Sequence, residues 1–204
     1  MRILCAVDCQ NDFMPGGSLP VPCGDEIVPI INSIRGQFDK VIWTKDWHPE
    51  NHCSFKKYGG QWPIHCVQTT PGSEFHKDLV MDKTNDEFVF KGIDQYVDSY
   101  SGFFDNGRKH EAHMDKGIGF PSYLRELSQI AFLHEGKKPY LYCLGLATEY
   151  CLKFTVLDSL NEGYETYVIL DACRGINKKD IQKAQEDMVD AGALITSSKA
   201  ILNW

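Results

Sequence analysis

The chain has 204 residues, of which 43% are hydrophobic and 24% are charged, and its formal net charge is −7. These values are typical of one globular domain with a full hydrophobic core. The negative charge disfavours nucleic acid or an anionic membrane as the main partner, and no apolar run reaches the roughly 20 residues of a membrane-spanning helix. We therefore expect a single domain over residues 1–204 that binds neither nucleic acid nor a membrane.

The start of the chain argues against export. Met1-Arg2 leads at once into a short apolar segment that ends in an acid, whereas a signal peptide has a longer apolar core and a small-residue cleavage site. Several of the eight cysteines lie in apolar runs or on a helical pattern, among them Cys5, Cys143 and Cys151. We expect a reducing, cytoplasmic compartment in which cysteines are core residues, metal ligands or catalysts.

Short apolar runs alternate with helical patterns along the chain. Near-continuous apolar runs predict buried strands at residues 3–7, 41–43, 88–90, 140–144, 167–170 and 194–196. Apolar residues at helical spacing predict helices around residues 27–34, 124–130, 152–160 and 181–188. Strands covered on both faces and alternating with helices indicate an α/β fold, a three-layer α-β-α architecture around a central, mostly parallel sheet.

Two stretches have no clear periodicity. Residues 45–80 are rich in His, Pro, Gly and Trp, and residues 98–119 are polar and contain Gly. Loops of this length in a compact domain are usually functional.

Reactive side chains fall where the predicted strands end. Asp8 ends the first strand, Asp46 follows the second, Lys91 ends the third, and Cys151 follows the fourth at the start of a helix. Taken singly, each has an ordinary alternative: an Asp can cap a helix, and a Lys can be solvated. Ligands of open parallel sheets bind beyond the carboxyl ends of the strands, so the coincidence of all four predicts a site at that edge.

Cys151 is the candidate nucleophile. A helix N-terminus favours the thiolate, and its free N–H groups can hold an oxyanion. The small residues Gly145 and Ala147 allow a substrate to approach the backbone. The alternative, a structural core cysteine, is the interpretation for Cys5, Cys143 and Cys173, whereas Cys9 and Cys23 stay undecided.

A candidate metal site lies in the first of the two long loops. Asp46 and His48 are two residues apart, so on an extended segment they point the same way, and His65 completes the set. Two imidazoles and one carboxylate suit Zn, Fe or Mn with open coordination positions. Four neighbouring residues compete as ligands: His52, Cys53, Cys66 and His76. Cys53 and Cys66 could instead form a structural zinc site, although they lack the paired C-x-x-C spacing. Two further histidines in the second loop are interpreted as solvated: His110 and His113.

With these residues in place, the sequence closely resembles the nicotinamidases, members of the isochorismatase-like cysteine hydrolases. The resemblance rests on six motifs in family order, which together span nearly the whole chain: VDCQNDF at 7–13, TKDWHP at 44–49, WPIHC at 62–66, FKG at 90–92, DSYSGF at 98–103 and GLATEYC at 145–151. The motifs are specific in combination, although none would be alone. The resemblance implies an isochorismatase-like fold.

The resemblance also implies a role for individual residues. It implies a catalytic triad of Asp8, Lys91 and Cys151, and metal ligands Asp46, His48 and His65. The implied oxyanion hole consists of the backbone N–H groups of Ala147 and Cys151, next to a cis peptide bond between Leu146 and Ala147. Phe13 and Trp62 would sandwich a pyridine ring with Tyr100 at the pocket edge; plain core packing is the alternative for these aromatic residues.

The implied function is metal-dependent hydrolysis of nicotinamide to nicotinate and ammonia through a cysteine thioester, a step of nicotinamide salvage for NAD. Zinc is the favoured cofactor, with iron or manganese as alternatives, and the resemblance is compatible with a homo-oligomer. Some relatives have a further histidine or acid where this chain has Ser54, which implies fewer protein ligands or more bound water here and leaves the identity of the metal open. Many relatives have Asp at the position of Glu149.

Two other functions compete with this one. The first is another small-molecule amidase, or an isochorismatase-type hydrolase, of the same superfamily; such members generally lack the D-x-H plus His ligand set. The second is a non-catalytic zinc-binding or redox-sensing module that uses the cysteines. That module would not explain why Asp8, Lys91 and Cys151 all lie at strand ends.

Overall fold

The computed structural model describes residues 1–82, 84–106, 110–114 and 117–204 and contains a seven-stranded sheet flanked by helices. The strands are β1 Arg2–Val7, β2 Lys40–Asp46, β3 Glu87–Lys91, β4 His113–Met114, β5 Tyr140–Gly145, β6 Glu165–Cys173 and β7 Leu194–Thr196. The helices are α1 Ile27–Ile34, α2 Phe120–Glu135, α3 Lys153–Asn161, α4 Lys178–Asp190 and α5 Ser198–Leu202. No described helix combines the length and apolar character needed to cross a bilayer.

The order of strands in the sheet is β4-β3-β2-β1-β5-β6-β7. All neighbouring strands are parallel except the β3–β4 pair, which is antiparallel. Helix α1 packs against α5, and α3 packs against α4, which gives the three layers expected from the sequence. The α/β prediction is therefore confirmed.

The apolar runs form the centre of the sheet because both faces are covered. Residues Ile3 to Val7 of β1 are completely buried. Helix α2 has Pro121 in its first turn and ends at Gly136, whose φ of +67° is the left-handed conformation common after helices. The helix contains the predicted range 124–130 and extends beyond it at both ends.

All six predicted strands are present, most of them longer than predicted. The short elements β4 and α5 were not predicted, because two and five residues are too few to show a period. Strand β4 lies within the stretch 98–119 that we interpreted as a polar loop, and residues 107–109 and 115–116 of that stretch lie outside the described residues. His113 is exposed, as expected, but it belongs to this strand.

The topology brings the candidate site together. From β1 the chain proceeds outward to β2 and β3 on one side, and later returns to β5 on the other side. The strand order therefore reverses between β1 and β5, which is the point where open α/β sheets bind ligands. Asp8, Asp46, Lys91 and Cys151 follow or end four strands that are adjacent in the sheet, so the predicted convergence is confirmed.

Candidate active site

Lys91 is the centre of the buried charge cluster. It ends β3, its side chain has no exposed surface, and its Nζ lies 2.8 Å from Oδ2 of Asp8. The same ammonium donates to the carboxylate of Asp46 and, at 3.3 Å, to the Sγ of Cys151. Burial alone would lower the pKa of Lys91, but Asp46 and Asp8 raise it well above its usual range. Lys91 is therefore a permanent cation shared by two carboxylates and the thiol.

Asp8 follows β1 with a φ of +49°, a left-handed conformation that Asp adopts more readily than most residues. Its Oδ1 accepts a hydrogen bond of 2.6 Å from Oγ1 of Thr44, which leaves Oδ2 facing Lys91. Burial raises the pKa of Asp8, although Lys91 and the Thr44 hydroxyl oppose that shift. A carboxylate with a raised pKa is a better proton acceptor than an ordinary aspartate.

Cys151 lies in a kinked turn, Thr148–Leu152, that joins β5 to α3. Burial raises the pKa of its thiol well above the usual range; Lys91 acts against that shift, whereas Asp8 and Asp46 reinforce it. Burial and the two carboxylates thus shift this pKa in the direction opposite to the lowering expected of a helix N-terminus. Lys91, whose Nζ contacts the sulfur, is the group in this cluster that favours the thiolate.

Asp46, His48 and His65 form the predicted ligand set. Their candidate ligand atoms all lie within 4.8 Å of one another, and all three residues are buried. Oδ2 of Asp46 is 3.4 Å from Nε2 of His48 and 3.8 Å from Nε2 of His65. Both imidazoles thus present the same nitrogen to the carboxylate.

Backbone carbonyls orient both rings. Nδ1 of His48 lies 2.9 Å from the carbonyl oxygen of Gly92, and Nδ1 of His65 lies 2.8 Å from that of Pro63. A carbonyl accepts only, so each Nδ1 carries a proton, and in the neutral form of each imidazole the Nε2 lone pair is available to a cation. A Cβ at position 92 would lie 2.3 Å from the His48 ring, so glycine is required for this approach. The donor set fits a divalent metal such as zinc.

Asp46 connects the two centres. Its Oδ1 accepts from Lys91, whereas its Oδ2 faces the two histidines. Burial would raise the pKa of Asp46, but Lys91 and His48 together hold it far below its usual range. The carboxylate is therefore ionised, as a metal ligand must be.

The competing ligands do not join this set. In the described part of the chain, only two groups bring three candidate ligand atoms together: this one, and Asp8 with Asp46 and Cys151. His52 instead stacks on His48 with ring centroids 4.1 Å apart, and its Nδ1 lies 2.8 Å from Oγ of Ser54. All eight cysteines are free thiols, and the backbone N–H of Cys66 donates to Asp12.

Gln10 is a supporting residue that the sequence analysis did not assign. Its Nε2 donates to the carbonyl oxygens of Asp46 and Ser73, both at 2.8 Å, and its Oε1 accepts the N–H of Asp46 at 2.7 Å. The buried amide thus holds the backbone of Asp46 on both sides. The available signal was an amide residue two positions after a strand-end acid, inside a motif already noted.

A pocket opens directly onto Cys151. It contains all three predicted ring-binding residues, both oxyanion-hole residues and one candidate metal ligand: Phe13, Trp62, Tyr100, Ala147, Cys151 and His65. Five further residues complete its lining and were not predicted: Leu19, Val21, Asp98, Tyr150 and Ile176. Nε1 of Trp62 donates to the hydroxyl of Tyr100 at 3.1 Å, which fixes the two rings relative to each other. Cys151 and one candidate metal ligand, His65, thus line the same cavity.

The peptide bond between Leu146 and Ala147 is cis, as the resemblance implied. Ala147 and Cys151 both line the pocket. The role of their N–H groups as an oxyanion hole remains a prediction.

Comparison with known proteins agrees with these features. Residues 124–200 match the Isochorismatase domain family. A nicotinamidase of Escherichia coli is 40% identical, with 95% of this chain and 93% of the relative aligned.

Two solved structures share the architecture. A protein of L. infantum in complex with nicotinate has a TM-score of 0.82 and 31% identity, with 98% of this chain and 94% of that chain covered. A pyrazinamidase of Pyrococcus horikoshii in complex with zinc has a TM-score of 0.77 and 39% identity, with 96% and 98% covered. Because similarity in sequence and in architecture extends over almost the entire length, the chain belongs to the nicotinamidase family of isochorismatase-like amide hydrolases.

Proposed function

We propose that this enzyme hydrolyses nicotinamide to nicotinate and ammonia, with Cys151 as the nucleophile and Asp8 as the acid–base group. The observation that carries the proposal is the shared pocket: Cys151, in contact with Lys91, opens onto the same cavity as His65 of the ligand set. One cavity thus offers a nucleophile for the amide and a coordination site for a ring nitrogen. Nicotinamide carries a carboxamide and a ring nitrogen on one small ring, so it matches both features of the cavity. Its hydrolysis would be a step of nicotinamide salvage.

In the first half of the reaction, Oδ2 of Asp8 accepts the thiol proton of Cys151, and the ammonium of Lys91 stabilises the thiolate that remains. The sulfur attacks the carboxamide carbon, and the carbonyl oxygen becomes an oxyanion at the N–H groups of Ala147 and Cys151. One such donor typically contributes about 3 kcal/mol to the transition state. The C–N bond then breaks as Asp8 returns its proton to the amide nitrogen, so ammonia leaves and a thioester forms.

In the second half, water replaces ammonia. Asp8 accepts a proton from the water as its oxygen attacks the thioester carbon, and the C–S bond breaks to release nicotinate. The proton returns to the sulfur, so the enzyme is restored. This is covalent catalysis with acid–base assistance by one carboxylate in both directions.

Asp46, His48 and His65 would hold a divalent ion, for which zinc is our proposal. When bound, such an ion supplies a Lewis-acidic coordination position for the pyridine nitrogen. The aromatic residues would orient the substrate ring. Phe13 and Trp62 line the same cavity as Cys151, and the hydroxyl of Tyr100 accepts a hydrogen bond from Trp62.

The test is steady-state ammonia release from nicotinamide by protein prepared with zinc. Benzamide is the matched control substrate, because it has the same shape without the ring nitrogen. We expect stoichiometric nicotinate and ammonia, and a kcat/KM for benzamide lower by about 100-fold or more, since a lost coordinating contact costs several kcal/mol. Absence of turnover with zinc, iron and manganese, or preference for an unrelated small amide, would overturn the proposal.

A further inference from the structure

Glu149 lies two residues before Cys151, and its side chain points away from the reaction centre towards the segment that follows β6. It is 5% exposed. Its Oε1 accepts the backbone N–H of Ile176 at 2.7 Å and that of Asn177 at 2.9 Å. Asn177 caps the N-terminus of α4, where a carboxylate is electrostatically favoured. Glu149 thus ties the start of α4 to the turn that carries the nucleophile.

The fit between Glu149 and this segment is close. A Cβ at Gly175 would lie 2.1 Å from Oε2 of Glu149, so a side chain there would displace the carboxylate. Oε2 has no hydrogen-bond partner among the described residues. The contact is reinforced nearby, since the N–H of Thr148 donates to the carbonyl oxygen of Arg174 at 2.9 Å. Residues 174–177 therefore pack closely against the Glu149 side chain and the turn that carries it.

The segment matters because Ile176 lines the substrate pocket together with Phe13 and Trp62. The Ile176 residue is 39% exposed, which places it at the rim of the pocket. The backbone N–H of this same residue is held by Glu149. The position of one pocket wall is thus set by a side chain of the catalytic turn.

We propose that Glu149 is a positioning residue that determines substrate size: by holding Ile176 against the pocket, it restricts the enzyme to carboxamides on an unsubstituted six-membered ring. This inference rests on the proposed function. Glu149 acts through Ile176 and has no direct contact with the reacting atoms. A purely structural role, in which Glu149 only stabilises α4, would change folding stability without changing the choice of substrate.

The test compares zinc-loaded, full-length variants on nicotinamide and on methylnicotinamides substituted at ring carbon 4, 5 or 6. Glu149→Leu removes the acceptor at similar size, Glu149→Gln keeps one oxygen acceptor, and Ile176→Ala shortens the wall itself. Glu126→Leu, at an exposed position of α2, is the matched control. Ammonia release gives kcat and KM, and thermal unfolding gives stability for every variant.

We expect the wild type to reject at least one methylnicotinamide about tenfold or more in kcat/KM, as one methyl group against a fitted wall can do. Glu149→Leu should reduce that rejection to about threefold or less, and raise KM for nicotinamide more than it lowers kcat. Glu149→Gln should recover most of the discrimination. The double variant Glu149→Leu/Ile176→Ala should lose no more discrimination against methylnicotinamides than either single variant, because both substitutions act through the same pocket wall.

Other results would overturn the inference. A Glu149→Leu enzyme with a lower melting temperature but wild-type discrimination shows a structural role only, and a wild type that accepts all three methylnicotinamides shows that the wall does not select. If Glu149→Leu fails to fold, Glu149→Asp, shorter by one methylene, is compared with Glu149→Gln in the same way. A wild type inactive on nicotinamide overturns the proposed function as well, which distinguishes the two failures.

Discussion

The two ends of the sheet are built from opposite chemistry. At the carboxyl ends of the strands, Asp8, Asp46 and Lys91 are buried together around a thiol. Towards the amino ends, Tyr142 stacks on Tyr167 with ring centroids 4.5 Å apart. Tyr142 also makes an edge contact with Trp204 at the end of the chain.

This contrast shows how one sheet separates stability from chemistry. Aromatic packing stabilises a fold without requiring any partner charge. Buried charges contribute little net stability, and they become costly when one partner is removed. We therefore expect substitutions at the carboxyl end to reduce catalysis, and stability as well wherever a buried charge loses its partner. Substitutions at the amino end should affect stability alone.

The largest expected effect is that of Cys151→Ala. Without the sulfur no thioester can form, so kcat should fall by about 10⁴-fold or more, as for other nucleophile deletions. The melting temperature should change little, because the substitution removes no charge partner. Ammonia release and thermal unfolding measure the two quantities, and near-normal turnover would contradict the assignment of Cys151.

Removal of the metal should have the next largest effect. Chelation should lower kcat/KM by about 100-fold, with recovery on addition of zinc, and should lower the melting temperature because a ligand of the native state stabilises it. His48→Asn should reproduce the loss and reduce the bound metal. His134→Asn on the exposed face of α2 is the control. Full activity in metal-free protein would refute the role of the ligand set.

Lys91→Met tests the link between charge and stability. It leaves the carboxylates of Asp8 and Asp46 buried without their cation, so we expect a loss of about 3–5 kcal/mol in the free energy of unfolding, together with loss of activity. Lys183→Met in α4 is the control, because Lys183 is 67% exposed and pairs with Asp187 one helical turn away. That exposed ion pair should contribute little to stability. Urea denaturation measures the free energy of unfolding of both variants. Equal losses would contradict the expectation that the buried charge cluster is the more sensitive site.

The pH dependence follows from the raised pKa of Asp8. Asp8 must be ionised to accept the thiol proton, and a raised pKa means that it becomes protonated at higher pH than an ordinary aspartate. The acid limb of kcat/KM should therefore lie above about 3.9, the reference value for Asp. Thr44→Val removes the hydroxyl that favours the ionised form and should move the limb higher still. A limb that moves to lower pH in this variant would argue against Asp8 as the base.

The smallest effect is expected at the amino end. Tyr142→Leu keeps an apolar side chain but loses the aromatic contacts, so we expect a loss of about 1 kcal/mol. In a chain of this size, that corresponds to a decrease of about 2–4 °C in melting temperature. Steady-state kinetics should be unchanged, and a clear decrease in kcat would show that the two ends are coupled.

Much of the site could be predicted because strand-end chemistry is visible in sequence. Apolar runs identify the strands, and the residue after each run has to lie at an edge of the sheet. Asp8, Asp46, Lys91 and Cys151 were all found in this way. The ring-binding and oxyanion assignments needed the family resemblance, since nothing in the spacing of Phe13, Trp62 or Ala147 indicates a common cavity.

The sequence by itself determined the alternation of strands and helices and the identity of the reactive groups, because hydrophobic periodicity and residue chemistry are local properties. The tertiary structure decided how these groups interact. Registers such as Asp46 beside Lys91 and Val7 beside Thr44 place the shared ammonium and the Thr44 hydroxyl against their carboxylates. Burial, which only the folded chain creates, raises the pKa of the Cys151 thiol against the sequence expectation. The hydrogen bond from the N–H of Ile176 to Glu149 likewise exists only in the folded chain, because the two residues are 27 positions apart in sequence.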